Sequence, residues 1–466
     1  MVRRLAALLA LLLVLAACTG GGDGGGGDGG GGDGGAPAAP TARDVPGTIV
    51  VASGRDVTGK NGVRRRLIDA WNQREQRAGT QFRARLVELP GSADEQRSQL
   101  LGALQSRSAE YDVVNLDVTW VPEFAAAGLV RVLPEELVDE DVIRSVAGTA
   151  RWGGKVYAVP FNSDVGLLYY RRDHLARAGV ERPDLSGGLT WERLRDLVET
   201  LDGRPARGAY RKGWTTQLAA YEGRTVNAVE AFASAVRDFA LVDEEGRYTG
   251  TVEELTAGIA ELRRRTETPY TLQDAFHSDE AASLSDFAEG RTAFLRHWPY
   301  VYPALYRTFT REQLGVAPLP GRAVLGGQNL AVTSASQRSG KAAELIRFLT
   351  GPESERCLLD AGFAATRESA YGDGVRCATA VAGPSASPTG EGADPVPRDA
   401  GGRPAYARTI LLPALRDAVH RPRTPLYGAF TQTFTARLGP LFGDAPPTDE
   451  ALAEQLDEAL RKALPD

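Results

Sequence analysis

Four short stretches of this 466-residue chain bring together the residue types that grip a polyhydroxyl ligand. They hold Asp117 with Trp120, Asn162 with Asp164, Tyr221 with Glu222, and Trp298 with Tyr300. A pyranose has apolar C–H faces and a rim of hydroxyls. Trp and Tyr cover the faces, and Asp, Asn, Glu and Arg pair with the rim. Charge-assisted hydrogen bonds are stronger than neutral ones, and a closed cleft excludes competing water. Most of these residues also have a plainer reading: Trp298 and Tyr300 as core packing, Asp117 as a helix cap, Glu222 on a solvated loop, and Asp56, a further candidate, as a turn residue.

Signatures of catalysis are missing. The chain has no Gly-x-Ser-x-Gly, no His-Glu-x-x-His and no Ser-x-x-Lys in a fitting context. No spacing pairs two carboxylates as acid and base, so the expectation is a binder and not an enzyme. The four His residues are far apart in sequence, and neither a metal nor another cofactor is expected. Net charge is −6 with Lys and Arg scattered, which argues against nucleic acid.

The elements that must position these residues alternate as strands and helices, so the chain reads as α/β. "TIVVAS" (48–53), "FRARLVELP" (82–90) and "YDVVNLDV" (111–118) are strands. Val63, Leu67 and Trp71 mark an amphipathic helix, and Leu100, Leu101 and Leu104 another. Residues 155–173 are two strand-like runs broken at Pro160–Asp164. Thr190 is an N-cap candidate, 225–240 a mostly apolar helix, and Thr251 with Glu254 a capping box. "LGVAPLPG" and "LGGQNLAVTS" look like strands around a turn. Two helices divide at Gly351-Pro352, 381–402 is a surface loop, and Leu452, Leu456 and Leu460 mark a last helix.

The N-terminus concerns location. Arg3 and Arg4 precede a short apolar run, Leu5–Ala17, ending in Leu-Ala-Ala-Cys. That pattern fits a lipoprotein signal, residues 1–17, with Cys18 lipidated; an ordinary secretory signal is the alternative. Residues 18–43 form a Gly/Asp/Pro-rich tether spanning about 25–30 Å as a coil. The expected location is the outer face of the cell membrane, lipid-anchored, or the periplasm if an outer membrane exists. Cys357 and Cys377 are a candidate disulfide in an exported protein, with two buried thiols as the other reading.

Six segments in order, behind that signal, carry a resemblance. They are "YDVVNLDVTWVPEFAAAGLV", "AVPFNSDVGLLYYRRD", "AAYEGRTVNAVE", "FAEGRTAFLRHWPYVYPAL", "GVAPLPG…LGGQNLAVTSAS" and "ELIRFLTGPE". From about Thr48 to the C-terminus the chain resembles the extracellular solute-binding proteins of carbohydrate ABC importers, in the trehalose/maltose-binding branch. The resemblance implies a two-lobed periplasmic-binding-protein clamshell of type II. Each lobe is a sheet flanked by helices, with hinge crossovers between them. Lobe one would hold 44–159 and 315–365, and lobe two 160–314 and 366–466. Asp56, Asp117, Asn162 and Asp164 would line the cleft, Trp298 would be a stacking platform with Tyr300 nearby, and Glu222 and Arg421 would reach the ligand. The partners implied are a carbohydrate, most naturally a disaccharide, and a permease with a cytoplasmic ATPase; the protein would be a monomer.

Two departures bear on specificity. Gln328 follows Gly326-Gly327, where a stacking Trp would be replaced by an amide, and His297 stands where Asn is common. Gln328 therefore also counts as a ligand-binding candidate. The competing functions are the same fold binding a polyol, compatible solute or peptide, and a secreted glycosidase.

Overall fold

The computed structural model describes residues 44–55, 62–204, 208–379 and 395–464. Asp44–Asp466 is one of the two compact units of the chain. The signal, Cys18, the tether and Asp56 lie outside the described residues.

Eleven strands are present among those residues: β1 (Gly47–Gly54), β2 (Phe82–Leu89), β3 (Val113–Asp117), β4 (Arg151–Trp152), β5 (Lys155–Val156), β6 (Val159–Val165), β7 (Leu167–Arg171), β8 (Lys212–Thr215), β9 (Thr292–His297), β10 (Leu314–Pro318) and β11 (Leu325–Val332). They form two main sheets. One has the order β2-β1-β3-β11-β6, the other β10-β7-β9-β8, and β4–β5 is a separate hairpin. In the first sheet β1 runs parallel to β2 and β3, while β11 is antiparallel to β3 and β6.

Central strands are apolar on both faces because helices cover both sides. Val113, Val114 and Leu116 are fully buried in the first sheet, as are Leu168, Tyr169, Phe294 and Leu295 in the second. Around the first sheet, helix Val63–Arg77 packs on β2 and Ser339–Leu349 on β11. In the second lobe, helices Glu222–Ala235, Val252–Thr266, Tyr427–Leu438 and Asp449–Ala463 pack on one another.

The chain passes between the sheets three times. The first passage is the single residue Gly166, between β6 and β7. The second is 319–324, between β10 and β11. The third is 417–426: helix Leu412–Arg416 packs on β6, whereas Tyr427–Leu438 packs on Glu222–Ala235 and Asp449–Ala463. Val324 of the second passage pairs with Val419 of the third.

Several expectations shift here. Pro160–Asp164 does not break a strand; it lies inside β6. β6 is an edge strand, where a residue without an N–H is tolerated. The break falls at Gly166 instead, so the first boundary lies past residue 159. "LGVAPLPG" and "LGGQNLAVTS" are strands, but of different sheets, and the turn between them is the second crossover. Of residues 366–416, the described ones go mostly with the first sheet: Val142 bridges Arg367, and Leu412–Arg416 lies on β6. The apolar helix expected over 225–240 ends at Ala235. Cys357 and Cys377 are joined as a disulfide, S–S 2.09 Å.

Candidate functional site

The candidate site is built on the carboxyl ends of β1 and β3, the residues where β11 meets β6, and the segment after β9. Ligand sites at such strand ends are the rule in open α/β sheets.

Asp117 ends β3 and does two jobs. Its Oδ1 accepts from the Thr119 N–H (2.9 Å) and Oγ1–H (2.7 Å), turning the chain into helix Val121–Ala126, with Pro122 in its first turn. The same carboxylate accepts from Arg421 Nη2 at 2.9 Å. Arg421 belongs to the third crossover and donates its other arm, Nη1, to Glu222 Oε1 at 2.6 Å. Glu222 opens the helix Glu222–Ala235 and also accepts from Tyr427 Oη and, at 2.8 Å, from Thr431 Oγ1. One guanidinium thus ties a carboxylate of each lobe. Burial works against the Arg421 charge, but Asp117 and Glu222 outweigh it and hold the group above the usual arginine range. Burial raises the Glu222 carboxyl, and Arg421 opposes that.

Asp164, on β6, is placed differently. Its Oδ1 is buried and has no hydrogen-bond partner among the described residues. Burial pushes its carboxyl up to about 7 against the pull of Arg64, Arg296 and Arg421, with Asp117 adding to the rise. Trp298 is next to it: both lie against Gly326, where a Cβ would sit 3.2 Å from the Asp164 Cβ and 3.3 Å from Trp298 Cζ3. The Arg296 guanidinium covers one face of Trp298, 3.8 Å from the ring centroid. A cation on an aromatic face is attractive, and a stacked ligand would have to use the opposite face.

His297 is fully buried. Its Nδ1 accepts the Trp298 N–H at 2.9 Å, so the proton sits on Nε2, which donates to the Glu280 carbonyl at 3.1 Å. Burial holds its pKa down at about 3. The ring packs edge-on against Tyr300, centroids 5.4 Å apart. The Asn-to-His departure therefore acts through the pose of Trp298 and Tyr300, from behind them.

Gln328 and Asn162 face each other across β11 and β6. Gln328 Oε1 accepts from Arg64 Nη2 (2.8 Å) and Asn115 Nδ2 (2.5 Å), and Asn162 Oδ1 accepts from Arg64 Nη2 (3.1 Å). Arg64 also donates to Ser53 Oγ and the Gly54 carbonyl. Asn162 is buried and Gln328 half-buried, within a polar floor under the first lobe's side of the cleft.

Sequence reasoning passed over Arg64, Arg296 and Glu230. A signal for the first existed: Arg64 shares the buried face of its helix with Leu67, Ile68 and Trp71, where a charge demands a partner. Arg296 is likewise a charge inside the apolar strand "TAFLRH". Two aromatics of the opening stretches are engaged within the protein. Trp120 is 6% exposed, inside the apolar core, and Tyr221 donates to Glu280 Oε2 at 2.8 Å.

At the rim the lobes touch. Arg97, paired with Glu123 of the first lobe, lies against Gly428 at the start of Tyr427–Leu438. A groove of about 1220 Å³ runs on the hinge side of Arg421, between Arg151–Gly154 and Asp238–Glu245; Asp117, Asp164 and Trp298 do not line it. Among the described residues no His/Cys/Asp/Glu cluster could hold a metal, and no helix is long and apolar enough to cross a membrane.

Two sheets joined by three crossovers form the two-lobed architecture of a periplasmic-binding-protein clamshell. The sequence agrees: residues 86–356 match the model of the bacterial extracellular solute-binding proteins, and the chain belongs to that family. It is a family of binding proteins, not of enzymes. A probable ABC transporter-binding protein of Deinococcus radiodurans is 28% identical over 318 residues, 66% of this chain and 73% of that protein. The maltose-bound MalE3 of T. maritima superposes with a TM-score of 0.71 at 22% identity, over 90% of this chain and 100% of that one. UgpB of Mycobacterium tuberculosis, in complex with glycerophosphocholine, gives 0.67 at 21%, over 90% and 98%. These likenesses establish the two-lobed fold.

Proposed function

We propose that this protein is the substrate-binding component of an ABC importer, anchored through lipid on Cys18. It captures a sugar, best a disaccharide such as trehalose or maltose or a short oligosaccharide, and hands it to a membrane permease driven by an ATPase. The observation that carries the sugar is the pairing of Trp298 with Asp164. One face of the indole is taken by Arg296, and beside the ring sits a buried carboxyl oxygen with no hydrogen-bond partner among the described residues. A ring hydroxyl would satisfy that oxygen while the C–H face stacks on the indole. Arg421 pairs with both Asp117 and Glu222, so neither carboxylate is left without a cationic partner. Tyr300 flanks the platform, and Asn162 and Gln328 support the floor through Arg64. Asp56 is retained as a cleft residue on the resemblance alone. Ligand closes the lobes only through its greater affinity for the closed form.

A thermal-shift screen tests this against trehalose, maltose, maltotriose, sucrose, glucose, glycerophosphodiesters, glycine betaine and amino acids. A ligand at about 100 times its dissociation constant adds about 2.7 kcal/mol. A shift of several degrees with a disaccharide is expected. A shift with only a non-sugar would keep the fold and move the assignment to a polyol, compatible solute or peptide.

A further inference from the structure

The buried ion pair Glu230–Arg296 lies behind Trp298 and against two of the three passages that join the lobes. Arg296 is 1% and Glu230 2% exposed. They meet through two parallel hydrogen bonds, Nη2 to Oε1 at 2.6 Å and Nε to Oε2 at 3.1 Å. Such a fork fixes orientation as well as charge.

The surroundings of the pair are the crossovers. Gly166 is the whole first crossover, and a Cβ there would overlap Glu230 Oε1 and come within 3.0 Å of Arg296 Nη2. Only a glycine lets that backbone lie against the fork. Val324, in the second crossover, donates its N–H to Glu230 Oε1 at 3.2 Å. One turn later on the same helix, Ser234 Oγ accepts the Arg322 N–H at 2.8 Å. The third crossover is bound to the second: Leu325 N–H donates to the Val419 carbonyl (2.8 Å) and Val419 N–H to the Ala323 carbonyl (2.9 Å). On its other side Arg296 carries Trp298 on its guanidinium.

We propose that Glu230 and Arg296 are positioning residues that couple the Trp298 platform to the pivot of the two lobes. Arg296 sets the pose of the indole, Glu230 holds the second crossover, and the fork makes the two move as one. A ligand that presses on Trp298 then loads the crossovers directly, through one side chain. Burying two charges is costly and an apolar pair could pack there, but it could neither hold the Val324 N–H nor support the indole as a cation does.

Amide hydrogen exchange on the ligand-free protein tests the coupling. The double variant Glu230→Met with Arg296→Met leaves no lone buried charge, so its melting temperature is expected to stay within several degrees of the parent. Exchange in 319–324 and 417–426 is expected to rise at least tenfold, with helix Asp449–Ala463 unchanged. Gly166→Ala, which displaces the fork without removing a charge, should speed the same two segments. So should Trp298→Ala, which strips the indole from the guanidinium. A folded double variant with crossover exchange like the parent, or acceleration spread evenly over both lobes, would overturn the proposal. Acceleration by the pair variants but not by Trp298→Ala would overturn the link to the platform. The inference rests on the sugar reading only for the meaning of Trp298. Exchange needs no sugar, so failure of the ligand screen and failure of the coupling are seen separately.

Discussion

Arg421 is the residue on which the site's charge balance turns. It is 3% exposed as a side chain and satisfies two carboxylates, Asp117 and Glu222, that come from different lobes. Removing one partner of a buried pair costs about 3–5 kcal/mol because the other charge is left uncompensated. Arg421→Met is therefore expected to lose stability at the lower end of that range, since Asp117 keeps some access to water; urea unfolding measures it. Asp164 gives a pH prediction. Its carboxyl titrates near 7 in the folded state, against about 3.9 unfolded. The folded state holds the proton longer, so this group's stabilising contribution is full below about pH 4 and is lost as pH rises through about 7. Asp164→Asn should flatten that part of the melting-temperature profile between pH 4 and 8. An identical slope in the variant would place the titration elsewhere. In the sequence Asp117, Asp164 and Trp298 stood out as carboxylates and aromatics gathered at strand ends, and Arg421 through the resemblance of its segment. Gln328 and His297 stood out too, but their contacts are long-range: Gln328 meets Arg64 across 264 positions, and no local pattern encodes that.

Elements were read well where local chemistry decides them. Thr190 caps Trp191–Gly203 by accepting the Arg193 N–H, and Thr251 with Glu254 closes a capping box. Leu452, Leu456 and Leu460 are fully buried along Asp449–Ala463. Reading failed where tertiary pairing decides. Pro160 sits in a strand because β6 is an edge, and "LGVAPLPG" turns into "LGGQNLAVTS" by changing sheets, which period-2 patterning cannot distinguish from a hairpin. Two element-scale outcomes follow. Thr251→Ala should cost about 1 kcal/mol through the lost cap. Leu456→Ala should cost about 2–5 kcal/mol through the cavity it leaves between Asp449–Ala463 and its neighbours. Denaturant titration compares the two, and a smaller loss for Leu456→Ala than for Thr251→Ala would contradict the packing described.

At the scale of the molecule, two sheets are joined at Gly166, 319–324 and 417–426, and the groups proposed to face a ligand lie near those passages. The class of fold was legible from the order of six segments. The lobe boundaries were displaced because a one-residue crossover leaves almost no mark in sequence. The lobes meet at Arg421 and at the Arg97–Gly428 rim. The proposed reading is that the cleft binds a sugar on the face of Trp298 opposite Arg296. Calorimetric titration of the protein and of Trp298→Ala with the disaccharide that gives the largest thermal shift tests it most directly. The account predicts one site per chain and affinity at least tenfold weaker in Trp298→Ala at a nearly unchanged melting temperature. Equal affinity in the two proteins, or no heat with any sugar, would contradict it.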